Sequence, residues 1–150
     1  MNSYRTHTCS ELRAANIGKP TTLIGWVDSV RDHGGVIFID LRDRSGITQV
    51  VFHPEVNQDV AKASQQLRSE DMIQISGTVA ARLKTDTVDT TNADLPTGEI
   101  EVSADTLNVI NKADVLPFQL DRVLSNEDLR LKYRYLDLRR PAMHETIVKR

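Results

Sequence analysis

Between Thr21 and Phe52 apolar and polar residues alternate with a period of two, the signature of half-buried strands. "TTLIGWVDSVRD" (21–32) reads as a first strand, with Gly25 permitting a bulge or tight bend. "HGG" (33–35) turns the chain into a second strand, "VIFIDLRD" (36–43). "RSG" (44–46) is a hairpin connection, and "ITQVVFHP" (47–54) is a third strand stopped by Pro54. The period then lengthens. In "NQDVAKASQQLRSED" (57–71), Val60, Ala61, Ala63 and Leu67 recur at near-helical spacing, with Asn57 or Asp59 available as cap. Alternation returns in "MIQISGTVAARL" (72–83), pauses in a polar Thr/Asp-rich loop at 84–98, and resumes in "EIEVSADTLNVIN" (99–111). Upstream, "CSELRAANIG" (9–18) reads as a short helix capped by Ser10 and stopped by Gly18.

Three strands in a meander, a helix, then two more strands is the order of an OB-fold. The expectation is therefore an all-β, five-stranded Greek-key barrel with a helix between strands three and four and a short N-terminal helix. It occupies 1–113. Residues 114–129, with Pro117 and no sustained period, read as a linker, and 130–150 begin a basic helical segment of a further, truncated unit.

One aromatic breaks the pattern. In the second strand Ile37, Ile39 and Leu41 share the core face, which leaves Phe38 outside with Asp40 and Arg42. OB barrels bind nucleic acid on the face of strands two and three. On that reading the phenyl ring is a platform for an unpaired base, worth about 1–3 kcal/mol. The alternative is that Phe38 packs beneath a loop or against the N-terminal segment. The third strand places Gln49, Val51 and His53 on the same outer face, with Gln49 expected across from Phe38. A glutamine amide both donates and accepts, as reading a base edge requires. Arg31, Arg42 and Arg44 flank the same stretch and suit phosphate contact or stacking. Glu101 faces away from Ile100 and Val102 and, by itself, reads as an ordinary strand glutamate.

Composition narrows the classes. Hydrophobic residues make up 39% and charged ones 27%, ordinary for a globular chain. The net charge is −2, but residues 1–121 hold 11 Lys/Arg against 17 Asp/Glu while 122–150 hold 8 against 4. The acidic barrel argues against a non-enzymatic module that grips single strands through a positive groove, and the asymmetry marks the tail as a separate unit. No apolar run approaches the ~20 residues of a membrane span and no signal-peptide core is present, so the expectation is a cytoplasmic protein off the membrane. Cys9 is alone, and His7, His33, His53 and His144 lack metal-ligand spacing. No phosphate-cradling GxxxxGK[ST] or GxGxxG is present, and no nucleophile, acid–base pair or metal site is expected.

"GWVDSVRDHGGVIFIDLRDRSGITQVVF", "PTGEIEV" and "LKYRYLDLRRP" together resemble the bacterial aspartyl-tRNA synthetase family, over about Tyr4 to Arg150. Parts of each motif are shared with the asparaginyl and lysyl enzymes, the nearest alternatives. The resemblance implies that the barrel binds a tRNA anticodon. In that family the aromatic matching Phe38 stacks on the central uracil, and the glutamine matching Gln49 bonds to the same base. The arginine matching Arg31 contacts the anticodon, and the glutamate matching Glu101 reads its first-position guanine. His33 stands where strictly aspartate-specific members resemble a leucine, which implies tRNA(Asn) as a partner beside tRNA(Asp). Arg42 and Arg44 would be peripheral RNA contacts. Loop 84–98 is longer than is usual in the family. The resemblance further implies that residues 130–150 open a class II catalytic domain, so that this chain carries no catalytic site. ATP and Mg²⁺ belong to the parent aspartate–tRNA ligase. The parent is expected to be a homodimer, the fragment a monomer.

Overall fold

The computed structural model describes residues 4–85, 87–120 and 125–150. Five strands, β1 (Pro20–His33), β2 (Val36–Arg42), β3 (Ile47–Phe52), β4 (Met72–Ala81) and β5 (Ile100–Asn111), close a barrel in the order β1-β2-β3-β5-β4. All neighbours are antiparallel except β3 and β5, whose short parallel pairing closes the cylinder. The barrel is the expected OB-fold topology.

Alternation explains the interior. Leu23 and Val27, then Ile37, Ile39 and Leu41, then Val50, Phe52, Ile73 and Ile75, all virtually without solvent exposure, point inward from successive strands. Helix α1 (Gln58–Ser64) closes one end. Asn57 caps it by accepting from the Asp59 and Val60 amides. Its inner face is Ala61 and Ser64, continued by the buried Leu67 just past its end, and not Ala63, which is exposed. Ser64 takes the inward position because its hydroxyl donates to the Ala61 carbonyl, so no polar atom is left unpaired there.

Three local expectations change. The N-terminal helix is a single 3-10 turn, Ala14–Asn16. Its upstream backbone is spent on the barrel: the Cys9 amide donates to Asp43 (2.9 Å), and the Thr48 hydroxyl donates to the Cys9 carbonyl (2.7 Å), so Cys9 and Leu12 enter the core. In β1, Gly25 pairs regularly with Ile73, and the bulge falls instead between Val27 and Ser29. The loop after β4 also has order of its own, since Lys84 and Asp89 bridge as a small hairpin.

The chain divides into two compact units, 1–113 and 114–150. In the second, the expected basic helix is three short ones: α2 (Glu127–Lys132), α3 (Arg134–Asp137) and α4 (Pro141–Val148). Asn126 caps α2 through the Asp128 amide, inside the stretch expected to be linker; positions 121–124 of that stretch lie outside the described residues. The segment has a buried anchor. Asp137, 1% exposed, receives both the Nε and Nη2 of Arg130 and lies 3.1 Å from Arg140 Nε. Arg130 holds the Asp137 carboxyl below the usual range.

Candidate nucleic-acid interface

The outer face of β1, β2 and β3 carries two cross-strand rows. Phe38 lies between Arg31 on β1 and Val51 on β3; one pleat further along, Asp40 lies between Ser29 and Gln49. Gln49 is therefore opposite Asp40 rather than Phe38. It is the diagonal neighbour of the ring, a separation of about 7–8 Å that long side chains bridge. The expected pairing was off by two residues, because the strand pattern fixes which face a residue takes but not its register.

Phe38 is half-buried on this outer face. The two-residue turn at Gly34 and Gly35, both at positive φ, brings the exposed His33 beside it. The Gly35 amide donates to Asp32 (2.8 Å), fixing the turn, and His33 meets Phe38 edge-to-face with centroids 5.4 Å apart.

Beside the ring runs a polar chain across four strands. Ser29 Oγ donates to Asp40 Oδ2 (2.6 Å). Arg31 forks onto the same carboxylate, Nη1 to Oδ2 (2.8 Å) and Nη2 to Oδ1 (3.0 Å), and Nη2 also reaches Gln49 Oε1 (3.4 Å). Gln49 Nε2 donates to Glu101 Oε2 (2.8 Å). Glu101 is thus half-buried and hydrogen-bonded, not an ordinary surface glutamate. Gln49 is 7% exposed, and Val51 is fully covered although it faces outward.

Arg82, just beyond β4, was not singled out by sequence and is 7% exposed. Its Nε donates to the Ile100 carbonyl (3.0 Å) and Nη1 to the Thr90 carbonyl (3.3 Å), tying the long loop to β5. Nη2 has no hydrogen-bond partner among the described residues. Burial pulls this guanidinium below the ordinary arginine value, while Asp40 and Glu101 push it back up. Nothing in the local pattern "VAARLK" sets this arginine apart; its partners come from a distant strand and loop.

Arg42 and Arg44 do not join the group. Arg42 is four residues from Phe38, roughly 13 Å along the strand, and is engaged by Asp28 (3.2 Å) and Glu70 (2.5 Å). Arg44 is exposed in the β2–β3 turn at that same far end.

Residues 21–110 match the tRNA anti-codon family, an OB-fold nucleic acid binding domain. The chain belongs to this family. The match takes in Arg31, Phe38, Gln49, Arg82 and Glu101 together. Curated relatives include an aspartate–tRNA(Asp/Asn) ligase of Salinibacter ruber, 52% identical over 148 residues, which are 95% of this chain and 23% of that protein. One of Desulfotalea psychrophila is 53% identical over 147 residues, 97% of this chain and 24% of that protein. The chain thus spans about a quarter of the length of these relatives. Among solved structures, asparaginyl-tRNA synthetase from Pyrococcus horikoshii superposes with a TM-score of 0.75 at 27% identity, over 94% of this chain and 30% of that one.

Proposed function

We propose that this chain is the anticodon-reading part of a longer aspartate–tRNA ligase that serves tRNA(Asp) and tRNA(Asn). The observation that carries the reading is Phe38: a ring half-open on the outer face of β2, edged by His33 and flanked by the Arg31–Gln49–Glu101 chain. A single-stranded loop can lay a base on that ring, and sequence-specific RNA recognition usually targets such unstacked bases. The central uracil of the anticodon stacks on Phe38 and bonds to Gln49, which lies one diagonal away. Glu101 takes the N1–H and N2–H₂ of a first-position guanine, a group of donors that only an acceptor such as a carboxylate can meet.

Two observations support the double partner. The curated relatives bear names that specify tRNA(Asp/Asn), and His33 touches the stacking ring itself. An asparaginyl enzyme shares the fold, but at about half the identity of the aspartate ligases.

Aspartate, ATP and Mg²⁺ are assigned to the remainder of the parent enzyme, a class II synthetase whose catalytic domain opens within 130–150. Among the described residues no three His, Cys, Asp or Glu side chains gather as a metal site. No helix among them is long and apolar enough to cross a membrane.

The test is binding of the 150-residue chain to anticodon stem-loops bearing GUC, GUU and UUU at one salt concentration, with Phe38→Ala alongside. GUC and GUU should bind comparably and more tightly than UUU. The variant should bind both about 5–150-fold more weakly, the equivalent of about 1–3 kcal/mol. Equal binding of all three loops, unchanged in the variant, would remove the reading.

A further inference from the structure

We propose that Asp40 is a positioning residue that sets the specificity of this surface, by pinning and neutralising Arg31 so that the arginine serves base edges and not phosphates. The inference rests on the anticodon reading above. Arg31 has 44% of its side chain exposed, and an arginine that open ordinarily sweeps through solvent. Here both terminal nitrogens are engaged by one carboxylate, itself only 20% exposed, whose Oδ2 also accepts from the Ser29 hydroxyl. The bulge between Val27 and Ser29 sets the register that brings both Ser29 and Arg31 onto the face of Asp40.

Two consequences follow from the fork. First, a bidentate pair fixes a plane as well as a distance. The guanidinium is held in the row next to Phe38, with Nη2 turned toward Gln49 Oε1. That contact orients the Gln49 amide, leaving its Nε2 directed at Glu101. A single carboxylate thereby sets the donor and acceptor directions of three side chains. Second, an unpaired arginine is the side chain best suited to gripping phosphate. Paired with Asp40 it carries no net charge to the RNA backbone, so what this side chain contributes must come through the bases. A surface built this way rejects unmatched loops because it has little else to hold them by.

The experiment measures binding of the 150-residue chain to GUC and UUU stem-loops across a salt series, for wild type, Asp40→Asn, Asp40→Glu and Arg31→Ala/Asp40→Asn. Freed of its partner, Arg31 in Asp40→Asn should gain a phosphate, steepening the slope of log K against log salt by about 0.7. The preference for GUC over UUU should fall at least about fivefold, near 1 kcal/mol. Asp40→Glu keeps the charge but displaces the fork, so its slope should stay wild-type while its preference falls. The double variant should lose the extra slope. Asp40→Asn with wild-type slope and preference, or a steep slope that survives loss of Arg31, overturns the role of Asp40. If Asp40→Asn fails to fold, Asp40→Glu decides, and full discrimination by that variant overturns the proposal. A wild-type chain without preference between the loops sinks the anticodon reading, and this inference with it.

Discussion

At the residue scale, chemistry was legible wherever it broke a local pattern. Phe38 was visible because an aromatic stood on the polar side of an alternation, and the structure does put it on the outer face. Glu101 was on the right face too, but its partner was not legible. The hydrogen bond from Gln49 joins β3 to β5 across 52 positions of sequence, and alternation carries no information about such closure. Arg82 was missed for the same reason. The bond from Gln49 makes Glu101 a preoriented acceptor, and its role can be isolated. Glu101→Gln keeps the shape and removes the charge, which is what two guanine donors need. A charge-assisted hydrogen bond contributes roughly 1.5–3 kcal/mol. The variant should therefore lose about 10–150-fold in preference for GUC over UUC stem-loops, with little change for UUC. Titration calorimetry on the two loops reads the difference directly.

At the element scale, the strands announced themselves through period and turn residues, whereas the N-terminal segment did not become the helix it resembled. The reason is Asp43. Its carboxylate, on the turn after β2, accepts from the Cys9 amide, the Ser45 amide and hydroxyl, and the Gly46 amide. The bond from Cys9 fastens the start of that segment to the barrel mouth, where Cys9 and Leu12 are drawn into the core instead of continuing a helix. Burial raises the Asp43 pKa, but the hydrogen bonds outweigh it and leave the group below the usual carboxylate value. A depressed folded pKa adds stability that is present above the unfolded value, about 3.9, and is lost as pH falls through the folded one. Thermal unfolding between pH 7 and pH 2 should show a steeper acid-side fall for wild type than for Asp43→Asn, whose melting temperature should already be lower at pH 7. The same packing shields Cys9, whose thiol is pushed up to about 12 by burial first and by Asp43 second. A thiol reagent at pH 8 should leave Cys9 unmodified in wild type. In Asp43→Asn it should react as the N-terminal segment loosens. Equal protection in both proteins would mean that the segment is held by its apolar side chains alone.

At the scale of the whole molecule, the division of charge read from the sequence, at 121/122, falls eight residues past a division of structure, at 113/114. The barrel unit, 1–113, holds 11 Lys/Arg against 15 Asp/Glu, and 114–150 holds 8 against 6. The second unit carries its own buried centre, with Asp137 between Arg130 and Arg140, and Arg140 over the Phe118 ring 5.5 Å away. The candidate site, by contrast, lies wholly within the first unit: Ser29, Arg31, Phe38, Asp40, Gln49, Arg82 and Glu101 all precede residue 113. The proposed base-reading site and the net positive charge are thus on separate pieces of chain. Phosphate attraction is independent of sequence and steep in salt, whereas base-edge hydrogen bonds depend on the sequence and carry no such salt term. A chain ending at Ala113 should therefore unfold cooperatively on its own and keep the full ratio of GUC to UUU affinity. Its binding should weaken for every loop by the same factor, and its salt slope should be shallower than that of the 150-residue chain. Melting followed by circular dichroism, with fluorescence binding isotherms at three salt concentrations, tests all three expectations. A truncated chain that folds and binds but no longer separates GUC from UUU would show that residues 114–150 take part in reading the loop, and would move part of the site off the barrel.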